Sequence, residues 1–339
     1  MNDSAASVVR NPEDPAFWRE RRVMITGGLG FIGSTLARRL AELGADVVVV
    51  DSLVPEYGGN IFNIQGFEGC IRVNISDIRD QHSLRALACD RELIFNLAGQ
   101  TSHLDSMHDP LTDLSINGTA QLSLLEICRQ NNPSVKIVFA STRQIYGRPQ
   151  YLPVDEQHPL NPVDVNGINK LAGEFYHLLY NKVYGLRAAV LRLTNTYGPR
   201  MRIKDARQTF LGVWIRAVLE QRPIEVWGGE QLRDFTYVDD AVTALLHAAM
   251  NVRLEGQAFN LGGDGTVSLL KTAETLVAIG GGSFSVHEFP AERKRIDIGD
   301  YYADDRAFRE VSGWRPKVSF EEGLRRTLEY YRHNLNHYL

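Results

Sequence analysis

Thr26-Gly27-Gly28-Leu29-Gly30-Phe31-Ile32-Gly33 stands between an apolar run at 23–25 and a helix-like stretch at 34–43. A second apolar run, 47–50, follows and ends on Asp51. The order is strand, glycine loop, helix, strand, acid, and each part has a mechanical reason. Gly27 permits a tight turn out of the strand. Gly30 lets the backbone approach a pyrophosphate at a helix N-terminus, where free N–H groups attract anions. Gly33 lets the helix lie close on the sheet. Phe31 and Ile32 complete the loop expected to touch the cofactor. Asp51, roughly 20 residues on, is placed to bind both hydroxyls of an adenosine ribose and would repel a 2′-phosphate. The stretch therefore predicts a bound dinucleotide, NAD in preference to NADP.

The rest of the chain fits a soluble globular protein. Its 339 residues can bury a large core and hold more than one domain. A net charge of −4 with no basic run argues against nucleic acid as a partner. No stretch approaches the roughly 18 consecutive apolar residues of a membrane span, and no secretory signal opens the chain. Cys70, Cys89 and Cys128 lack metal-like spacing and are expected to be buried thiols; no metal site is expected. A reducing cytoplasm suits this composition.

Residues 1–20 are polar, carry Pro12 and Pro15, and read as an extension anchored by Phe17 and Trp18. From Arg22, strand-like runs recur at 23–26, 47–51, 71–74, 93–96, 136–141 and 188–192, most of them separated by helix-like stretches. Leu111, Leu114, Leu122 and Leu125 share one helical face; Leu171, Phe175, Leu178 and Leu179 share another. Alternating β and α predicts an α/β fold: a Rossmann-type, doubly wound parallel sheet with ligands at the carboxyl ends of its strands. Past Arg192 the rhythm breaks. The expected division is a dinucleotide-binding domain at 21–192 plus about 235–262. A smaller, discontinuous C-terminal substrate-binding domain takes about 193–234 plus 263–339.

A series of further motifs occurs in one order. It comprises Asp77-Ile78, Asn96-Leu97-Ala98-Gly99, Ser141-Thr142 with Ile145-Tyr146-Gly147, Lys170, Asn195 with Tyr197-Gly198-Pro199, and Arg233-Asp234-Phe235-Thr236-Tyr237-Val238-Asp239-Asp240. With the glycine loop, this series resembles the extended short-chain dehydrogenase/reductase family, specifically its nucleotide-sugar epimerases and dehydratases. The resemblance runs from about Arg22 to the end of the chain. It implies a resident NAD that stores a hydride while a sugar hydroxyl, often at C4, becomes a ketone. It also implies that Asp77, Ile78, Leu97, Ala98, Gly99 and Lys170 line the cofactor. The implied activity is a NAD-dependent epimerase acting at C4 of a UDP-hexose, as a homodimer. A nucleotide-sugar lyase (a decarboxylase or atypical dehydratase) and a non-catalytic binding protein are the alternatives.

Oxidising an alcohol needs a base for the hydroxyl proton, a hydroxyl that shares its hydrogen bond, and a cation beside the base. Thr142 matches the family's hydroxyl and Lys170 its cation. The alternative for Thr142 is a strand-end threonine capping the following turn. The family's tyrosine base stands four residues before the lysine, on the same helix face. Here that position is Asn166, whose amide cannot accept a proton near neutral pH. Lys170, Asp164, His103 or a tyrosine of the substrate half could serve as base instead. The 4,6-dehydratases of this family carry Asp-Glu after the threonine; Arg143-Gln144 stands here and disfavours that reaction.

A nucleotide sugar carries a diphosphate, which planar guanidinium groups fork onto. Arg233 matches the family's diphosphate arginine, and Arg295, or Arg293 nearby, falls where another is supplied. Asn195 matches an asparagine that contacts the sugar diphosphate. Gln100, Ser102, Asp105 and Ser106 fall where the family lines the sugar pocket, and Arg143 can meet a carboxylate or phosphate. Arg200, Arg202, Lys204 and Arg207 form a basic cluster that reads either as a solvated loop or as a clamp over the nucleotide. No residue distinguishes uridine from other bases. The helices at about 111–129 and 166–183 flank the family's dimer seam, and their apolar faces permit a homodimer.

Overall fold

The computed structural model of the chain describes residues 11–288 and 298–339. Seven parallel strands form its main sheet: β1 (Arg22–Thr26), β2 (Asp46–Asp51), β3 (Ile71–Ile75), β4 (Leu93–Asn96), β5 (Lys136–Thr142), β6 (Arg187–Leu193) and β11 (Ala258–Leu261). Their spatial order is β3-β2-β1-β4-β5-β6-β11, the Rossmann order with one added strand. The inner strands β1, β4, β5 and β6 bury both faces, as a parallel sheet between helices must, whereas the edge strand β3 is buried only at Ile71. Val23, Ile25, Val47 and Val49 enter one core with α2 (Phe31–Glu42) and α9 (Val238–Met250). Met24, Val48 and Val50 enter the opposite core with α3 (Gln81–Ala88), α6 (Ala120–Asn131) and Tyr180 of α7 (Val165–Tyr184). The strands therefore read as continuous apolar runs, which is why the sequence placed six of them to within one or two residues.

A third core joins Tyr197, Met201, Phe235 and Tyr237 with α8 (Phe210–Leu219), α10 (Leu269–Gly280) and the helix Phe320–Asn334. Small strand pairs edge this part: β7 (Asn195–Tyr197) with β10 (Phe235–Tyr237), and β8 (Ile224–Trp227) with β13 (Phe284–His287). Trp18, at the end of the short helix α1 (Pro15–Trp18), is fully buried, and its indole N–H donates to the Pro12 carbonyl at 2.7 Å.

Two local expectations change. Cys70 and Cys89 are exposed and only Cys128 is buried; all three are free thiols. The leucines at 111–125 do not share one buried face. Leu111 and Leu114, on α5 (Pro110–Leu114), are exposed, whereas Leu125 is core. Between them Ser115–Thr119 forms a π-helical turn, which shifts the helical phase. On α7, Phe175 and Leu179 are half exposed, beside Ile168 and Val183. That apolar stripe is uncovered within one chain.

Candidate active site

Connections run to opposite sides of the sheet from the gap between β1 and β4, which opens a crevice beyond the carboxyl ends of the strands. A cleft of about 290 Å³ lies there. The glycine loop, the ends of β2, β4 and β5, the start of α7 and residues 193–196 wall it.

The glycine loop has the geometry a dinucleotide needs. Gly27 turns at φ +68°, and a Cβ on Gly33 would lie 2.1 Å from the Gly27 carbonyl oxygen. Only glycine lets α2 start this close. No side chain caps the helix behind Gly30, so its first N–H groups, from Phe31, Ile32 and Gly33, are available to an anion. Gly28, to which the sequence assigned no role, presses on Val49: a Cβ would come within 2.4 Å. Asp51 is buried at the end of β2. Its carboxylate accepts from the N–H groups of Leu29 at 3.0 Å and Leu53 at 2.9 Å. Burial raises its pKa, and these backbone donors oppose the rise. Asp77, Ile78, Leu97, Ala98 and Gly99 line the same cleft. Asp77 is held by Arg79 through two hydrogen bonds of 2.9 and 2.7 Å. The residues present fit NAD: the glycine cradle admits the pyrophosphate and Asp51 faces the loop.

Lys170, on α7, is buried, and its ammonium donates to the Ala140 carbonyl at 3.1 Å. Gly99 makes room for it; a Cβ there would sit 2.9 Å from Nζ. Burial pulls the Lys170 pKa down to about 8, against the attraction of Asp113. Near neutrality the group is therefore mostly an ammonium. Thr142, at the end of β5, lines the cleft and accepts from the Gln144 N–H at 3.3 Å, so one side chain both caps the following turn and faces the cleft.

Asn166 lines the cleft beside Lys170, but its amide is already engaged. Nδ2 donates to the Gln100 carbonyl at 2.7 Å and to Asp113 Oδ2 at 3.0 Å. Asp113, a residue the sequence reading passed over, is buried and also accepts from Asn117 at 3.1 Å and Asn169 at 2.8 Å. Three amides thus enclose one carboxylate under the lysine. The signal that could have exposed it is an acid one helical turn before Asn117.

His103 and Asp164 meet near the start of α7. His103 Nδ1 hydrogen-bonds Asp164 Oδ2, and His103 Nε2 lies 2.6 Å from Gln144 Nε2. Asp164 Oδ1 caps α7 by accepting from the Gly167 N–H at 2.7 Å.

The substrate candidates divide. Arg143, Asn195 and Gln100 line the cleft. Arg143 does not point to open surface; its guanidinium lies over the Tyr301 ring, 5.0 Å from the centroid. Asn195 donates to the Asp234 carbonyl at 3.0 Å. Ser106 is buried and joins two elements instead of lining the cleft. It donates to the His103 carbonyl and accepts from the Asn166 N–H. Arg207 pairs with Asp105 at 3.2 Å. Arg233 donates to the Leu232 and Gly299 carbonyls. Arg293 and Arg295 lie outside the described residues. Among the described residues, no three His, Cys, Asp or Glu side chains are grouped to hold a metal ion, and no helix is long and apolar enough to cross a membrane.

Residues 23–262 match the family described as the NAD dependent epimerase/dehydratase family. The chain is 34% identical to a putative UDP-glucose 4-epimerase of Methanocaldococcus jannaschii, across 92% of this chain and 99% of the other. It is 31% identical to UDP-glucuronic acid decarboxylase 1 of Xenopus tropicalis, across 94% of this chain and 73% of that protein. The crystal structure of UDP-glucose 4-epimerase from Thermotoga maritima with UDP-glucose superimposes with a TM-score of 0.84. That structure is 30% identical and covers 92% of this chain and 99% of its own.

Proposed function

The chain belongs to the NAD-dependent epimerase/dehydratase family, and on that premise we propose that it epimerises a nucleotide sugar at C4 of a UDP-hexose through a transient keto-sugar. The observation that carries this is the convergence of Thr142, Lys170 and the glycine cradle on one cleft. Thr142 Oγ shares the hydrogen bond of the reacting hydroxyl, and Lys170 stabilises the negative charge that develops beside it. NAD supplies hydride storage when bound. Arg143 and Asn195 hold the sugar side, and Arg207 reaches the diphosphate by exchanging Asp105 for it. Ionic contacts of this kind favour a diphosphate because its charge exceeds that of one carboxylate.

One observation favours a second reading, a nucleotide-sugar lyase: the 31% identical relative is a decarboxylase. Incubating the purified protein with UDP-glucose, UDP-galactose and UDP-glucuronic acid separates the two. Epimerisation conserves product mass, and decarboxylation releases carbon dioxide. Tight binding of every sugar with no conversion of any of them would leave only a binding role.

The half-exposed stripe of α7, with Leu111 and Leu114 of the adjoining α5, fits a second copy of the chain. We place the protein in a reducing compartment, the cytoplasm, as a homodimer closed along this stripe.

A further inference from the structure

Asn166 leaves the site without the proton acceptor that alcohol oxidation requires, so another group must supply it if the epimerase reading holds. Among the described residues, the ionisable side chains lining the cleft are Asp51, Tyr57, Asp77, His103, Arg143 and Lys170. Asp51 and Asp77 belong to the glycine loop and the β3 side, away from Thr142, and both are already held by donors. Tyr57 lies on that side too, with Arg79, and its pKa is raised by burial. Arg143 stays protonated. Lys170 donates to Ala140 and is mostly charged near neutrality. Tyr146 is no substitute either. It is fully buried, donates to Asn260 at 2.7 Å, accepts from Arg192 at 2.6 Å, and burial pushes its pKa up to about 12.

His103 has the remaining requirement built around it. Asp164 accepts from Nδ1–H, which fixes the tautomer and leaves the lone pair on Nε2. Asp164 cannot swing away freely, because its other oxygen caps α7 at Gly167. Its side chain is only 11% exposed, whereas that of His103 is 48% exposed. Nε2 faces Gln144, two residues from Thr142, and takes an amide N–H from it. The Gln144 side-chain oxygen Oε1 is itself buried with no partner. Gln144 therefore sits where a hydroxyl donor would replace it.

We propose that His103, oriented by Asp164, is the proton acceptor of this site in place of the missing tyrosine. The proposal rests on the epimerase reading. As the sugar hydroxyl gives its proton to Nε2, the O–H and adjacent C–H bonds break and a C=O bond forms. The C–H electron pair would leave as hydride to a nicotinamide held by the glycine cradle, the oxidant this step requires. His103 becomes an imidazolium, stabilised by the Asp164 carboxylate, and returns the proton when the ketone is reduced. His103 is the catalytic residue, and Asp164 a positioning residue that acts through it.

The test uses the full chain with its resident NAD, UDP-galactose as probe, and three variants. His103→Gln loses about 100-fold or more in turnover while its UDP-galactose Kd changes less than threefold. His103→Gly regains turnover when imidazole is added. Asp164→Asn keeps a capping side chain but weakens the imidazolium, so the acid limb of its pH profile moves to lower pH. The other charge acting on the His103–Asp164 pair is Arg143 after β5, which none of these variants alters. Independently of activity, nitrogen NMR of the histidines shows the Nδ1–H tautomer for His103 and a shift of Nε2 when UDP-galactose binds. A His103→Gln variant as active as the parent overturns the proposal and leaves the epimerase reading intact, as does a His103 resonance unmoved by bound sugar. A parent protein that binds UDP-sugars but converts none overturns both.

Discussion

Asn166 Nδ2 donates to Asp113 Oδ2 at 3.0 Å, so the side chain four residues before Lys170 helps to satisfy a buried carboxylate. A phenol at that position would have to displace this bond and the one to the Gln100 carbonyl. The substitution of the usual base is therefore bound into the packing beneath Lys170.

Asn166→Ala leaves two buried acceptors short of a donor. We expect a loss of about 1–3 kcal/mol in unfolding free energy, measured by urea titration. Combining it with Asp113→Asn should cost less than the sum of the two, because the carboxylate that needs the donor has gone. Strict additivity would show that the cage is not a unit.

Gly33→Ala places a Cβ against the Gly27 carbonyl, where backbone cannot give way. We expect a destabilisation of about 1–3 kcal/mol and protein that purifies with little NAD, read from its absorbance spectrum. Gly69→Ala is the control. Its Cβ meets nothing within 4 Å, so stability should stay within about 0.5 kcal/mol and NAD content should be unchanged.

Asp234 is fully buried, its Oδ1 has no partner, and burial raises its pKa from 3.8 to about 6. A carboxyl raised in the folded state contributes stability that is complete below pH 3.8 and lost as the pH rises through about 6. Asp234→Asn removes that loss. Between pH 4 and 7 the parent should therefore lose on the order of 2–3 kcal/mol relative to the variant, compared through urea midpoints at each pH. Parallel curves for the two proteins would rule out this burial.

Phe175 and Leu179 are 50% and 49% exposed on one stripe of α7. Phe175→Glu with Leu179→Glu should leave the monomer folded and reduce the mass in solution from twice 38.1 kDa to 38.1 kDa by light scattering. A parent already at the single mass means that the stripe is covered by something other than a second copy.

The strands and the glycine loop were legible because their signals are local. Val47 to Val50 form one continuous apolar run because both faces of a parallel strand are covered. The loop announces itself because the Gly27 φ and the Gly33 contact are set within seven residues. The exposed leucines at 111 and 114 were not legible. Their spacing is that of a buried face, and only the π turn at Ser115–Thr119 and the missing neighbour on that side uncover them. Ser106 likewise had the right chemistry for a sugar pocket, but its hydroxyl is spent joining His103 to Asn166.

By itself the sequence determined the α/β class and the strand–loop–helix cradle for NAD, and it marked Thr142, Lys170 and Asn166 as candidate site residues. Tertiary structure alone decided what surrounds that gap. The Asn166–Asp113 bond spans 53 residues and the His103–Asp164 pair spans 61. Such pairs are created by how α4 (His103–His108), α5 and α7 pack together. Helical periodicity specifies which residues share a face of one helix, but it carries no information about which face of another helix that residue will meet.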